Sequence, residues 1–299
     1  MTTERVRRAS LVPIRPDLVD PRSGNGSAGQ NDGPMRLTKH HGLGNDFLVL
    51  LDRDGTQPID EDIAVAVCDR HRGVGADGLI RVTTATGEDG SARFAMELRN
   101  EDGSRAEMSG NGISCLAQAV VRAGLAPEGV VEVDTDAGPR AVTVVDTQAS
   151  HRHRMRVAMG RARIGDELPE WVDERILRAV HVDMGNPHVV LHVADPDEVP
   201  DLVELGERIN STTPGGTNVE LLLPADRGEV TMLVYERGVG PTQACGTGAV
   251  AAAAAAHAWE LAPTTVTVHQ PGGPAVVELG DVAHLTVPVV AIAAVEWPL

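Results

Sequence analysis

Lysine is almost missing from this 299-residue chain. Lys39 is the only one among 26 basic residues, against 43 acidic ones, and the formal net charge is −17. A chain this acidic lacks the basic stripe that a sequence-independent phosphate binder needs to displace counterions, so no nucleic-acid partner is expected. Cysteine is scarce too. Cys68, Cys115 and Cys245 are odd in number and show no CxxC spacing, which argues against a disulfide framework and a structural zinc site. No apolar run reaches the roughly 18–20 residues that cross a bilayer, so no membrane partner is expected. What remains is a reduced, cytoplasmic enzyme with length for about two average domains.

The first residues stand apart. "MTTERVRRAS" is basic, but no uninterrupted apolar stretch of roughly 7–15 residues follows it, so no secretory signal is expected. "DPRSGNGSAGQNDGP" has nothing to bury, and residues 1–34 read as a disordered tail. From Met35 onward, short strands alternate with a few helices. "EDIAVAVCDRHRG" has helical spacing ending at Gly73, and "NGISCLAQAVVRAGL", "PEWVDERILRAV", "PDLVELGERI" and "GTGAVAAAAAAHAWEL" are also helix-like. Stretches such as "GVVEVDT", "RAVTVVD" and "HRMRVAMG" alternate as in a β-meander. Most strands connect without a crossover helix, so the expected class is α+β with mostly antiparallel sheets.

The second half of the chain resembles the first. "GLGNDFLVL" at 42–50 matches "DMGNPHVVL" at 183–191, and "EMSGNGIS" at 107–114 matches "QACGTGAV" at 243–250. Asn45 precedes Gly75 by 30 residues, as Asn186 precedes Gly216; Asn100 precedes Ser109 by nine, as Glu236 precedes Cys245. An ordered series with constant offsets indicates internal duplication. The expectation is two related lobes, each a mostly antiparallel sheet wrapped around a helix, facing each other across a central cleft.

Such a cleft would bring the two octets together. Glycines admit close approach of a ligand, and the free N–H groups of a helix's first turn attract an anion. Two helix N-termini aimed at one spot would hold a carboxylate, with Ser109 and Cys245 flanking the carbon that bears it. Positive helix ends lower a thiol's pKa from about 8.5 toward neutrality. An acid/base on each face of a chiral α-carbon is the arrangement for racemisation.

The stretches "HGLGNDFLVL", "DRHRGVGADGLI", "RNEDGSRAEMSGNG", "MGNPHVV", "TNVE" and "YERGVGPTQACGTGA", covering about residues 35–250 in order, resemble the diaminopimelate epimerase family. The resemblance implies an isomerase that interconverts LL- and meso-diaminopimelate without pyridoxal phosphate or metal, so no cofactor, and that commonly forms a homodimer. It implies lysine and peptidoglycan precursor synthesis as the setting. It places the last strand back in the first lobe, giving 35–149 plus 287–299 as one lobe and 150–286 as the other. Cys245 would be one catalytic acid/base. Gly110, Asn111, Gly246 and Thr247 would present N–H groups to the reacting carboxylate. Asn45, Asn100, Asn186, Asn218 and Arg237 would bind the rest of the substrate, and Glu236 would accept a hydrogen bond from its ammonium. Amides suit both ammonium and carboxylate, and arginine offers a bidentate clamp.

Three positions depart from the family pattern: Ser109 stands where it has its first catalytic cysteine, Pro241 replaces a glutamate, and Gly78 a glutamine. An alcohol is far less acidic than a thiol, so Ser109 cannot be a resting base unaided. Cys115, six residues on, lies about one and two-thirds helical turns further along and does not replace the missing thiol. Ser109, or a water or carboxyl that it positions, could handle one proton. Cys245 alone could run a one-base dehydration or isomerisation, or the chain could bind ligand and turn over slowly. A non-enzymatic amino-acid binder is the competing class.

Other groups have plainer readings. Cys68 and Cys115 fit inert core positions. His40 and His41 point to opposite faces of a strand and offer one metal ligand at most. His151 and His153 fit a solvated stretch, Asp102 and Glu107 fit turn and capping roles, and His188 lies near the cleft by its place in "GNPH".

Overall fold

A computed structural model of the chain describes residues 33–298 apart from 88–89, 107, 127–128, 137, 169–172, 194, 196 and 224–227. The expected tail, except for Gly33 and Pro34, lies outside the described residues, as does Glu107.

The first half runs β1 (Met35–Gly42), β2 (Asn45–Leu51), α1 (Glu61–Cys68), β3 (Gly78–Thr86), β4 (Ala92–Asn100), β5 (Arg105–Ala106), α2 (Gly110–Arg122), β6 (Val130–Thr135), β7 (Gly138–Ala149) and β8 (Arg152–Gly160). A connecting strand β9 (Arg163–Glu167) follows. The second half runs β10 (Ile176–Asp183), β11 (Pro187–Val193), α3 (Leu202–Thr212), β12 (Asn218–Leu223), β13 (Glu229–Glu236), β14 (Gly240–Thr242), α4 (Gly246–Ala258), β15 (Thr265–Gln270), β16 (Gly273–Glu278) and β17 (Ala283–Trp297). The class is α+β, as expected.

The pairing order repeats. Antiparallel β1·β2 leads to parallel β2·β3, antiparallel β3·β4 and parallel β4·β6. In the second half, antiparallel β10·β11 leads to parallel β11·β12, antiparallel β12·β13 and parallel β13·β15. Strand β17 ties the halves, since it pairs with β16, β8 and β1. Strand β9 does the reverse by pairing with β10.

Helices α2 and α4 are the most deeply placed elements. α2 packs on β1, β2, β8 and β17, and α4 on β10 to β13 and β15 to β17. The run Ala249–Ala256 is buried throughout, which fits a helix apolar on all faces and enclosed by sheet. Both helices belong to one continuous apolar core, while α1 and α3 cover smaller cores of their own.

Two sequence expectations need correction. Helix α1 stops at Cys68 rather than Gly73, because the Asp69 carboxylate accepts from the N–H groups of His71 and Arg72 and turns the chain. Gly73 closes that turn; a Cβ there would lie 2.3 Å from the Ala66 carbonyl oxygen. The helix-like "PEWVDERILRAV" lies outside the described residues at 169–172, and its described part enters a strand instead: Ile176–Asp183 is β10, hydrogen-bonded to β11 on one side and β9 on the other. Ile176, Ala179 and Val180 suit a helical stripe, but sheet partners on both edges satisfy the backbone and bury the same residues.

Candidate active site

Ser109 and Cys245 are the N-caps of α2 and α4. Both have extended backbones, at φ −134°, ψ 126° and φ −122°, ψ 120°. Ser109 Oγ accepts from Gly112 N–H at 3.0 Å, and Cys245 Sγ accepts from Gly248 N–H at 3.3 Å. The cap carbonyls accept from Ile113 and Ala249. The N–H groups of Gly110, Asn111, Gly246 and Thr247 are thereby left without an intrahelical acceptor. The two turns touch: a Cβ on Gly246 would lie 3.2 Å from Gly110 Cα, and one on Gly110 would lie 3.4 Å from Gly246 Cα. A methyl at Gly246 would already crowd the seam, so glycine suits this close meeting of the two helix starts. Asn111 Nδ2 spans the seam to the Ala244 carbonyl at 3.4 Å.

Around Cys245 the polar groups are dense. Its N–H donates to Gln270 Oε1 at 2.8 Å, and its sulfur lies 3.5 Å from Thr247 Oγ1. Asn186 Nδ2 reaches Thr247 Oγ1 at 3.4 Å, and Asn186 Oδ1 accepts from His188 Nε2 at 3.1 Å. His188 Nδ1 meets Glu220 Oε1 at 2.7 Å, with both side chains fully buried. Glu236 accepts from Thr242 Oγ1 at 2.6 Å, and burial raises its carboxyl above the usual range.

These surroundings overturn the expectation of a thiol near neutrality. Burial, then the charges of Glu236 and Glu220, hold the Cys245 thiol well above its ordinary value. Thr247 and the Gly248 N–H lower it only in part. The helix end is present, but desolvation next to two carboxylates outweighs it.

The other expected residues fall in two places. Asn218 Oδ1 accepts from Arg237 N–H, and its Nδ2 donates to the Pro187 carbonyl, both at 3.0 Å, so Asn218, Arg237 and the Asn186 turn are neighbours. Asn45 pairs across the hairpin with Gly42, where a Cβ would lie 3.1 Å from Asn111 Oδ1, so Asn45 sits close to the α2 turn. Its Nδ2 donates to Asp77 at 2.7 Å, within a cluster of Asp46, Arg70 and the lone Lys39. Asn100 Nδ2 donates to Ser104 Oγ at 3.0 Å, and among the described residues no hydrogen bond joins it to either cap.

Sequence reasoning missed Gln270 and Glu220 and gave His188 too little weight. Gln270 is 25 residues from the thiol, with no motif to flag it. Glu220 stood in plain view in "TNVE", and the strand register places it beneath α4. His153 is corrected from solvated to buried: its Nδ1 accepts from Gln118 Nε2 at 2.9 Å. Cys68 and Cys115 are buried, and burial pushes both thiols up, Cys68 to about 12. A Cβ at Gly78 would lie 2.8 Å from the Arg99 carbonyl oxygen and 3.2 Å from Phe47, so a side chain there requires its neighbours to shift. Among the described residues no group of three or more His, Cys, Asp or Glu could hold a metal ion.

Comparison with known proteins gives the family. The diaminopimelate epimerase family pattern matches residues 37–165 and 180–292. Diaminopimelate epimerase of Heliobacterium modesticaldum is 37% identical over 290 residues, covering 89% of this chain and all of that protein. The Mycobacterium ulcerans enzyme is 39% identical over 270 residues, covering 84% and 92%. Among solved structures, a probable proline racemase from Agrobacterium radiobacter has a TM-score of 0.68 at 17% identity, covering 88% of this chain and 93% of its own. A phenazine biosynthesis protein of the PhzF family from Bacillus anthracis also scores 0.68, at 14% identity and covering 89% and 99%. These two likenesses concern the fold. With the pattern spanning both glycine turns and the relatives matched along nearly their whole length, this chain belongs to the diaminopimelate epimerase family.

Proposed function

We propose that the chain interconverts LL- and meso-diaminopimelate by moving a proton on and off one α-carbon, with no cofactor. The observation that carries this is the meeting of two helix N-termini at Gly110 and Gly246, with a hydroxyl capping one and a thiol capping the other. The reacting carboxylate takes the N–H groups of Gly110, Asn111, Gly246 and Thr247, and Cys245 addresses one face of the α-carbon. Asn45, Asn100, Asn186, Asn218 and Arg237 hold the distal end. Glu236 takes the α-ammonium, and the neutralising of its charge lowers the thiol's pKa, so the base is activated by the substrate it acts on.

Ser109 serves the opposite face, by its own hydroxyl or through a water or carboxyl that it positions. Two lobes enclose the cleft, residues 35–149 with 287–299 and residues 150–286; the repeated strand order supports this. The three free cysteines fit a reducing cytoplasm, and a homodimer follows the family habit. A second reading, exchange by Cys245 alone, draws on one observation: among the described residues Ser109 Oγ has a single partner, the Gly112 N–H.

Incubation with LL- and then meso-diaminopimelate in D₂O, following deuterium uptake and configuration together, tests both. Deuterium gain with inversion from either isomer is the expected result. Exchange with retention would favour Cys245 acting alone, and absence of exchange would remove the activity.

A further inference from the structure

His188 and Glu220 form a fully buried pair that the proton transfer does not use. Glu220 Oε2 has no hydrogen-bond partner, so the pair is not a satisfied structural network. The first half of the chain provides an internal control. Phe47 lies opposite Gly78 in the register in which His188 lies opposite Asn218; Val49 opposes Ile80 as Val190 opposes Glu220. Ile80 Cδ1 lies 3.4 Å from a Cβ placed on Gly112, and Glu220 Oε1 lies 2.7 Å from one placed on Gly248. The same architecture is therefore built with Phe47 and Ile80 beneath the serine and with His188 and Glu220 beneath the thiol. The fold does not require the charged pair at this place.

What the pair does is read from its bonds. Asn186 Oδ1 can only accept, so His188 Nε2 carries its hydrogen toward the amide. That fixes the carboxamide, whose Nδ2 is directed at Thr247 Oγ1, and Thr247 Oγ1 lies against the Cys245 sulfur. We infer that Glu220 is a positioning residue: through its reach to His188 it locks Asn186 and Thr247 against Cys245, a device the Ser109 side lacks. The inference rests on Cys245 being the acting base, and its mechanism is the length of the side chain rather than its charge.

Two conservative variants separate reach from charge. Glu220→Gln keeps the length and can donate to His188 Nδ1, leaving Nε2–H in place. Glu220→Asp keeps the charge but is one methylene short. Both are compared with the wild type by iodoacetamide alkylation of Cys245, mapped by mass spectrometry at pH 7, and by kcat for diaminopimelate epimerisation. Glu220→Gln should stay within about threefold of wild type in kcat, while its alkylation rises modestly because one of the carboxylate charges acting on the thiol is lost. Glu220→Asp should alkylate on the order of tenfold faster and lose a similar factor in kcat, because the sulfur is no longer held against Thr247. Wild-type kcat in both variants, an equal loss of kcat in both, or a loss in Glu220→Gln alone would each overturn the inference. A wild-type protein without epimerisation would sink the proposed function instead, and the alkylation contrast would still decide the role of Glu220.

Discussion

At the start of α2, Ser109 caps through Gly112 over Phe47 and Ile80; at the start of α4, Cys245 caps through Gly248 over His188 and Glu220. The two backbones agree closely, because an extended cap followed by glycines is what a helix start needs when it must meet another. The floors beneath them differ, because a strand's side chain can change without altering its ladder. The buried polar residues are also placed differently along the two helices. In the first half one buried polar group lies at the far end of α2, where Gln118 Nε2 donates to His153 and the Val289 carbonyl and Gln118 Oε1 accepts from His40. Ala254 takes the corresponding place in α4. The repeated strand order thus carries a buried imidazole–carboxylate pair beneath the α4 turn and an apolar floor beneath the α2 turn.

The hardest test of this contrast exchanges the two caps' chemistry. Cys245→Ala should reduce α-proton exchange by on the order of a thousandfold or more, the scale of a lost acid/base. Ser109→Cys should preserve or raise epimerisation. A Ser109→Cys protein that binds diaminopimelate but is inactive would break the view that the two turns serve the same carbon.

A smaller effect is expected from the polar residues of the first half. Burial pushes the His40 imidazole from 6.5 to about 4, against a partly opposing bond to Gln118. Above that value it is neutral, with Nδ1–H donated to Gln118 and Nε2 accepting from Thr38. Between pH 6.5 and about 4 the unfolded chain binds a proton there that the folded protein does not. Stability therefore falls as pH falls through that window, by roughly 3 kcal/mol for this drop. Urea unfolding across the window should show a shallower acid decline in His40→Asn. An unchanged slope would place the acid sensitivity elsewhere.

The smallest effect compares two glycines. Gly248→Ala brings a methyl to 2.7 Å from Glu220 Oε1 and 3.2 Å from Cys245 Cβ, whereas Gly112→Ala meets Ser109 Cβ at 3.0 Å and Ile80 Cδ1 at 3.4 Å. Overpacking of this kind costs about 1–3 kcal/mol, and Gly248→Ala should lie at the upper end because a buried, bonded carboxylate has nowhere to move. Chemical unfolding of the two variants side by side measures the difference, and equal losses would count against a rigid Glu220.

Much of this was legible in the chain itself. Strand alternation at β6 to β8 and the apolar run of α4 followed from periodicity, and the duplicated octets announced their own equivalence. The 176–180 stretch was not legible, since Ile176, Ala179 and Val180 fit either period and only the partners β9 and β11 decided it. Asn186, Thr247 and Cys245 were expected as site residues and lie in one bonded chain, whereas the His188–Glu220 pair and Gln270 came into view only through sheet register.

By itself, the sequence determined the glycine turns, the thiol and hydroxyl that cap them, and the lack of a second thiol at the first cap, because these depend on residue type and short-range spacing. Only the tertiary structure decided that Gly110 and Gly246 touch, that the Cys245 thiol is held high by burial and two carboxylates, and that Glu220 reaches it through His188, Asn186 and Thr247. Those facts depend on distances between residues far apart in the chain, and on the dielectric of a packed interior that no local pattern encodes.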